Sequence, residues 1–89
     1  MKTYQVKILP TAQKELASLP GAIQKRIGKK IDSLQETPRP PGTRMLKGQR
    51  NDFYRLRVGD YRILYEIKSE TLLVVVIKVG HRRDVYRGF

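Results

Sequence analysis

The sequence predicts an α+β fold, and three observations carry that reading. One strand-like segment opens the chain, two helix-periodic segments follow it, and every later segment alternates or runs apolar like a strand. The expected order is an N-terminal strand, a helical hairpin, then a mainly antiparallel sheet of about four strands with a basic open face. The 89 residues suffice for one domain, 1–89, around one core. A chain this short hides only about 60–65% of its unfolded surface, so its stability reserve is small.

Each element has a local cause. Tyr4, Val6 and Ile8 alternate with Gln5 and Lys7 to give the first strand. Pro10 ends it and suits the first position of a helix. Ala12, Leu16 and Leu19 follow at helical spacing until Pro20-Gly21 breaks the run. Ile23, Ile27, Ile31 and Leu34 then form the apolar stripe of a longer helix, with Lys25, Arg26, Lys29 and Lys30 on its outer side. Thr37-Pro38 closes that helix, because the residue before proline avoids the α region. Pro38 to Gly42 reads as a stiff loop, Met45 to Lys47 as a short strand, and Gly48 to Asp52 as a turn. The run from Thr71 to Val79 is apolar on both faces and reads as a central strand covered on both sides, ended by Gly80.

Between them, Phe53 to Ile67 predicts a β-hairpin turning at Gly59-Asp60. In that register Val58 faces Tyr61, Arg57 faces Arg62, Leu56 faces Ile63 and Tyr54 faces Tyr65. The helices are expected on the face of Tyr54, Leu56, Ile63 and Tyr65. Arg55, Arg57 and Arg62 share the opposite face, which is expected to stay open to solvent or ligand. Like charges directly across a strand pair destabilise a sheet, so a bound anion, above all a phosphate, would offset the opposition of Arg57 and Arg62.

Composition narrows the partner. A formal net charge of +11 on so short a chain favours polyanions, with nucleic acid the first candidate and an acidic protein the second. There is no cysteine, which excludes disulfides and thiolate metal sites and fits a cytoplasmic location. Leu72 to Ile77 is the longest purely apolar run, far short of a membrane span. The start, Met1 to Gln5, has no signal-peptide apolar block. One histidine and eight scattered acids give no metal-ligand spacing, and the glycines form neither a P-loop nor a dinucleotide fingerprint. No cofactor and no small-molecule partner is expected.

The remaining chemistry lies in the arginine face and in His81-Arg82-Arg83-Asp84-Val85-Tyr86 near the end of the chain. Those residue types suffice to cut RNA without a metal. The 2′-hydroxyl is the nucleophile, guanidinium groups stabilise the charge that builds on the phosphate, and a histidine can move protons near neutrality. Tyrosine can stack on a base or offer its hydroxyl. Lys47, Arg44, Arg50, Arg83, Lys25 and Lys29 are expected phosphate contacts, although Lys25 and Lys29 also fit an ordinary solvated helix face.

Three stretches together resemble a known family. Leu46-Lys47-Gly48, Tyr54-Arg55-Leu56-Arg57-Val58-Gly59-Asp60-Tyr61-Arg62-Ile63-Leu64-Tyr65 and Val79-Gly80-His81-Arg82-Arg83-Asp84-Val85-Tyr86 look like the RelE/ParE toxin superfamily, closest to its RelE branch of mRNA interferases. The resemblance implies a RelE-like fold and a toxin of a type II toxin–antitoxin pair. Such a toxin enters the ribosomal A site, cuts the mRNA there by 2′-hydroxyl attack, and so inhibits translation. It implies a RelB-like antitoxin as partner and catalytic roles for Arg55, Arg57, Arg62, Arg82 and Tyr86. Arg62 and Arg82 match the family directly, whereas Arg55 and Arg57 stand where some members carry lysine. An arginine is a poor general base, so His81, which resembles a general-acid histidine of related branches, becomes the better candidate for proton transfer. Glu66 is a weaker one, and the base stays open. The alternative within the superfamily is a ParE-like toxin that inhibits DNA gyrase by binding.

Overall fold

The apolar stripe of the second helix and the alternating hairpin meet face to face, and this contact organises the molecule. The computed structural model describes residues 3–47 and 52–81. Its elements are β1 (Gln5–Ile8), α1 (Pro10–Ala17), α2 (Gly21–Ser33), β2 (Thr43–Lys47), β3 (Asp52–Val58), β4 (Tyr61–Lys68) and β5 (Leu73–His81). The strands form one five-stranded sheet in the order β1-β5-β4-β3-β2. β1 runs parallel to β5, and every other pair is antiparallel. The expected α+β class therefore holds, with the N-terminal strand added to the edge of the antiparallel group.

Ile27, Ile31 and Leu34 from the α2 side meet Leu56, Val58, Ile63, Tyr65, Val74, Val76 and Val79 of the sheet, all buried, with Ala12 of α1. Pro10 sits in the first turn of α1, where its missing N–H has no partner to lose. Gln24 of α2 reaches back and donates to the carbonyls of Leu19 and Ala17, at 2.7 and 3.0 Å, so the break at Pro20 does not leave the end of α1 unsatisfied.

The hairpin has the predicted register at every pair, Val58–Tyr61 through Tyr54–Tyr65. Gly59 takes φ +59°, the positive value that the two-residue turn requires. β2 begins at Thr43, two residues before the expected strand. Asp52 opens β3, and the residues of the expected turn before it, 48–51, lie outside the described ones.

β5 departs from expectation in two ways. It runs through Gly80 to His81, because both residues pair with β4. Only one of its faces is fully buried: Val74, Val76 and Val79 are inside, while Leu73, Val75 and Ile77 are half-buried. A register shift between Leu64 and Tyr65 leaves Ile77 as an extra residue and resets the alternation before Val79. Pairing with β1 ends at Val76. Beyond it, Glu15 of α1 takes over the β5 edge, accepting from Val79 N–H at 3.1 Å and standing 3.8 Å from Lys78 Nζ.

Two tyrosines fasten the proline loop that leads into β2. The fully buried Tyr65 donates to Pro38 O at 2.7 Å and lies 3.4 Å from Thr43 Oγ1. The Tyr54 ring stacks on Tyr65 at 5.7 Å, and the Arg39 guanidinium covers Tyr54 at 5.2 Å. Burial pushes the Tyr65 phenol above its ordinary value of 10.0. Because the folded state holds this proton more tightly than the unfolded one, the contribution is complete below the ordinary value and is lost as pH rises through the folded value. Tyr65→Phe should cost about 1 kcal/mol at neutral pH. It should also flatten the alkaline decline of stability, measured by urea unfolding of both proteins from pH 8 to 11.

Candidate functional site

The sheet register arranges the basic residues in rows on the face away from the helices. Arg57 of β3 stands directly across from Arg62 of β4, and Arg62 from Gly80 of β5. Two residues along, Arg44 of β2 stands across from Arg55, Arg55 from Leu64, and Leu64 from Lys78. The sheet therefore holds two opposed arginine pairs side by side, where the hairpin alone gives one. Sequence reasoning placed Arg44 among the phosphate contacts but missed its position across from Arg55. The signal that could have found it is the β2–β3 register, which residue types between Lys47 and Asp52 do not fix.

The face is less open than expected. Arg62 is 5% exposed and Leu64 is fully buried, while Arg55 is half-buried and Arg44 and Arg57 are exposed. Arg62 Nη1 donates to Gly59 O at 3.1 Å and to Tyr61 O at 3.0 Å, so its guanidinium is folded back against the hairpin turn. Those two carbonyls offset part of the repulsion from Arg57, which a bound anion is therefore not alone in relieving. The next row, Leu46–Phe53–Glu66–Val75, is mostly apolar, so the basic character belongs to one end of the face.

His81 requires a correction. Its register partner is Tyr61, which lies on the helix side of the sheet, one residue out of phase with Arg62. Its ring meets the Tyr61 ring edge-on at 5.7 Å. His81 and the Arg57–Arg62 pair share one end of the sheet but occupy opposite faces, so the expected proton carrier stands on the other side of the sheet from that pair. Glu66 lies on the arginine face, yet it pairs with Phe53 further from the turn and sits 3.8 Å from Lys68 Nζ.

Of the expected phosphate contacts, Lys47 closes β2 across from Asp52. Lys25 and Lys29 are exposed on α2. Arg50, Arg82, Arg83 and Tyr86 lie outside the described residues. Among the described residues, no group of three His, Cys, Asp or Glu side chains could hold a metal ion. No helix among them is long and apolar enough to cross a membrane.

Known proteins resemble this chain along most of its length. The family model described as the ParE toxin of the type II toxin–antitoxin system parDE matches residues 6–86. A RelE-like toxin protein of Escherichia coli is 35% identical over 86 residues, covering 93% of this chain and 90% of that one. The mRNA interferase toxin RelE of E. coli strain K12 is 32% identical over 78 residues, covering 84% and 81%. Among solved structures, a chain of the archaeal RelE–RelB complex from Pyrococcus horikoshii OT3 matches with a TM-score of 0.81 at 33% identity, covering 93% of this chain and 99% of that one.

The opposed pairs give a stability test that needs no substrate. Arg57→Gln removes an exposed charge from a like-charge pair and should leave stability unchanged or raise it by up to about 1 kcal/mol. Arg62→Ala removes the charged donor to two carbonyls and should cost about 1.5–3 kcal/mol. Urea unfolding at low salt compares them, and a larger loss for Arg57→Gln than for Arg62→Ala would contradict the geometry.

Proposed function

The chain belongs to the RelE/ParE superfamily of type II toxin–antitoxin toxins, with its curated relatives on the RelE side, and from that premise we propose that it is a ribosome-dependent, metal-independent endoribonuclease that cuts mRNA in the A site. The observation that carries this reading is the pair of opposed arginine pairs at one end of the sheet face away from the helices. Four guanidinium groups in two adjacent rows suit consecutive phosphates of one strand better than a single small anion.

In the proposed reaction the 2′-hydroxyl oxygen attacks the neighbouring phosphorus. The bond to the 5′-oxygen breaks, leaving a 2′,3′-cyclic phosphate and a 5′-hydroxyl end. The attacking oxygen gives up one proton and the leaving oxygen takes one, so no net charge is made. Arg57 and Arg62 stabilise the pentacoordinate phosphate. Arg62 does so from a turn that already fixes its guanidinium, so little reorganisation is needed when charge develops. Arg55 and Arg44 hold the next phosphate along. Arg82 and Tyr86, which follow β5 directly in sequence, complete the site in this proposal, with Tyr86 against the base. Arg50, Arg83 and Lys47 add phosphate contacts around it. The ribosome orients the mRNA, which accounts for a site whose described part holds cations but no evident base.

A RelB-like antitoxin is the proposed protein partner, since the similar solved chains include RelE in complex with RelB. A basic surface of this kind is neutralised most simply by an acidic segment laid across it. A cytoplasmic location follows if ribosomes are the target. The family model's description names ParE, and this favours a second reading in which the protein poisons DNA gyrase by binding. A supercoiling assay separates the two.

The decisive assay translates a reporter mRNA with purified protein and maps new 5′ ends. Codon-positioned cuts are expected. Their absence with folded protein would overturn the reading. Arg57→Ala should lower the single-turnover cutting rate about 10²-fold with the fold intact. His81→Gln should leave the shape of the pH–rate profile unchanged, because His81 faces away from the arginine pair. Loss of one limb of that profile would instead make His81 a proton carrier.

A further inference from the structure

Resting on the proposed RNA-cutting role, we infer that Arg26 of α2 is a phosphate-binding residue that extends the arginine site around the hairpin tip to the helix side of the sheet. The Arg26 guanidinium lies against the bare face of Gly59. A Cβ at that position would stand 3.4 Å from Nη1 and 3.7 Å from both Cζ and Nη2. The same glycine's carbonyl accepts from Arg62 Nη1 at 3.1 Å. Two guanidinium groups, one from each side of the sheet, therefore flank a single residue. Both charges fall within about one Debye length of each other at 0.1 M salt, where they repel without an intervening anion.

Among the described residues, no ion pair holds Arg26. Among the described residues the ion pairs are Lys68–Glu66 and Lys78–Glu15, and neither Arg26 nor Asp60, the acid of the turn, takes part in one. Arg26 is exposed, and so are Lys29 and Lys30, which follow at i+3 and i+4 on the same side of α2. Core packing has no use for these charges, since α2 buries Ile27 and Ile31 instead. Exposed cations thus stand on both sides of the hairpin tip, Arg57 on one face and Arg26, Lys29 and Lys30 on the other. A flexible, single-stranded RNA backbone can follow that bend, and a flat acidic protein surface fits it less well.

Gly59 serves the track as well as the turn. Its φ of +59° lets the hairpin close, and its missing side chain lets the guanidinium lie against the backbone. No signal along the chain links residue 26 to residue 59, so the contact is visible only in the fold.

The test measures binding of the full chain to a single-stranded 2′-O-methyl oligoribonucleotide, which cannot be cut, across a salt series. Arg26→Gln should weaken binding roughly threefold to tenfold near 0.1 M salt and lower the slope of log affinity against log salt by about 0.7. Arg26→Lys keeps the charge and should keep the slope. Lys7→Gln removes an equal charge from exposed β1, at the far edge of the sheet, and should leave the slope unchanged. A wild-type slope for Arg26→Gln, or an equal fall for Lys7→Gln, would overturn the inference. Cutting of ribosome-bound mRNA by the unsubstituted protein is measured in parallel. Its failure would count against the nuclease reading, while the oligonucleotide slopes still decide the role of Arg26.

Discussion

The two-residue turn at Gly59-Asp60 sets the pairing of β3 and β4, and nearly every functional feature depends on that register. A slip by one residue would turn the side chains of one strand to the opposite face from those of its partner. Either Leu56 and Val58 or Ile63 and Tyr65 would leave the core, and the arginines of that strand would enter it. The register is therefore held by burial of apolar side chains against α2, and the opposition of Arg57 and Arg62 is a consequence that the fold must carry. The Arg62 bonds to Gly59 O and Tyr61 O show how it is carried: the buried charge is turned onto carbonyl oxygens of the very turn that creates the opposition.

The same register joins positions distant in the chain. β2 adds Arg44 across from Arg55, and its start is fixed by the Tyr65 bond to Pro38 and the Tyr54–Tyr65 stack. On the other side of the sheet, α2 brings Arg26 over Gly59 while its apolar stripe fills the core. The core residues thus position the cations without touching them. This division lets a small toxin keep its exposed cations and its packing energy on different side chains.

Much of the fold was legible along the chain, for identifiable reasons. Alternation from Tyr54 to Tyr65 fixed strand faces and pairing, and the stripe from Ile23 to Leu34 fixed the buried side of α2. Proline and glycine marked the breaks at residues 10, 20 and 59. The errors arose where pairing between distant strands decides. The extra residue at Ile77 resets alternation before Val79, which no local pattern announces, and His81 consequently stands on the helix side with Tyr61. Burial of Arg62 and Leu64 was equally hidden, because an arginine in an alternating strand reads as solvated. Arg44–Arg55 and Arg26–Gly59 are tertiary contacts that residue types cannot specify.

A double-mutant cycle on Arg44 and Arg55 tests the central claim, that the sheet holds opposed cations in readiness for a phosphate backbone, most directly. Stability of the wild type, Arg44→Gln, Arg55→Gln and the double variant is measured by urea unfolding at low salt, alone and with saturating 2′-O-methyl oligoribonucleotide. In the RNA-free protein the pair should show an unfavourable coupling of about 0.2–1 kcal/mol. Bound RNA should abolish it or reverse its sign. A coupling that is zero or favourable without RNA, or one that RNA leaves unchanged, would contradict the claim.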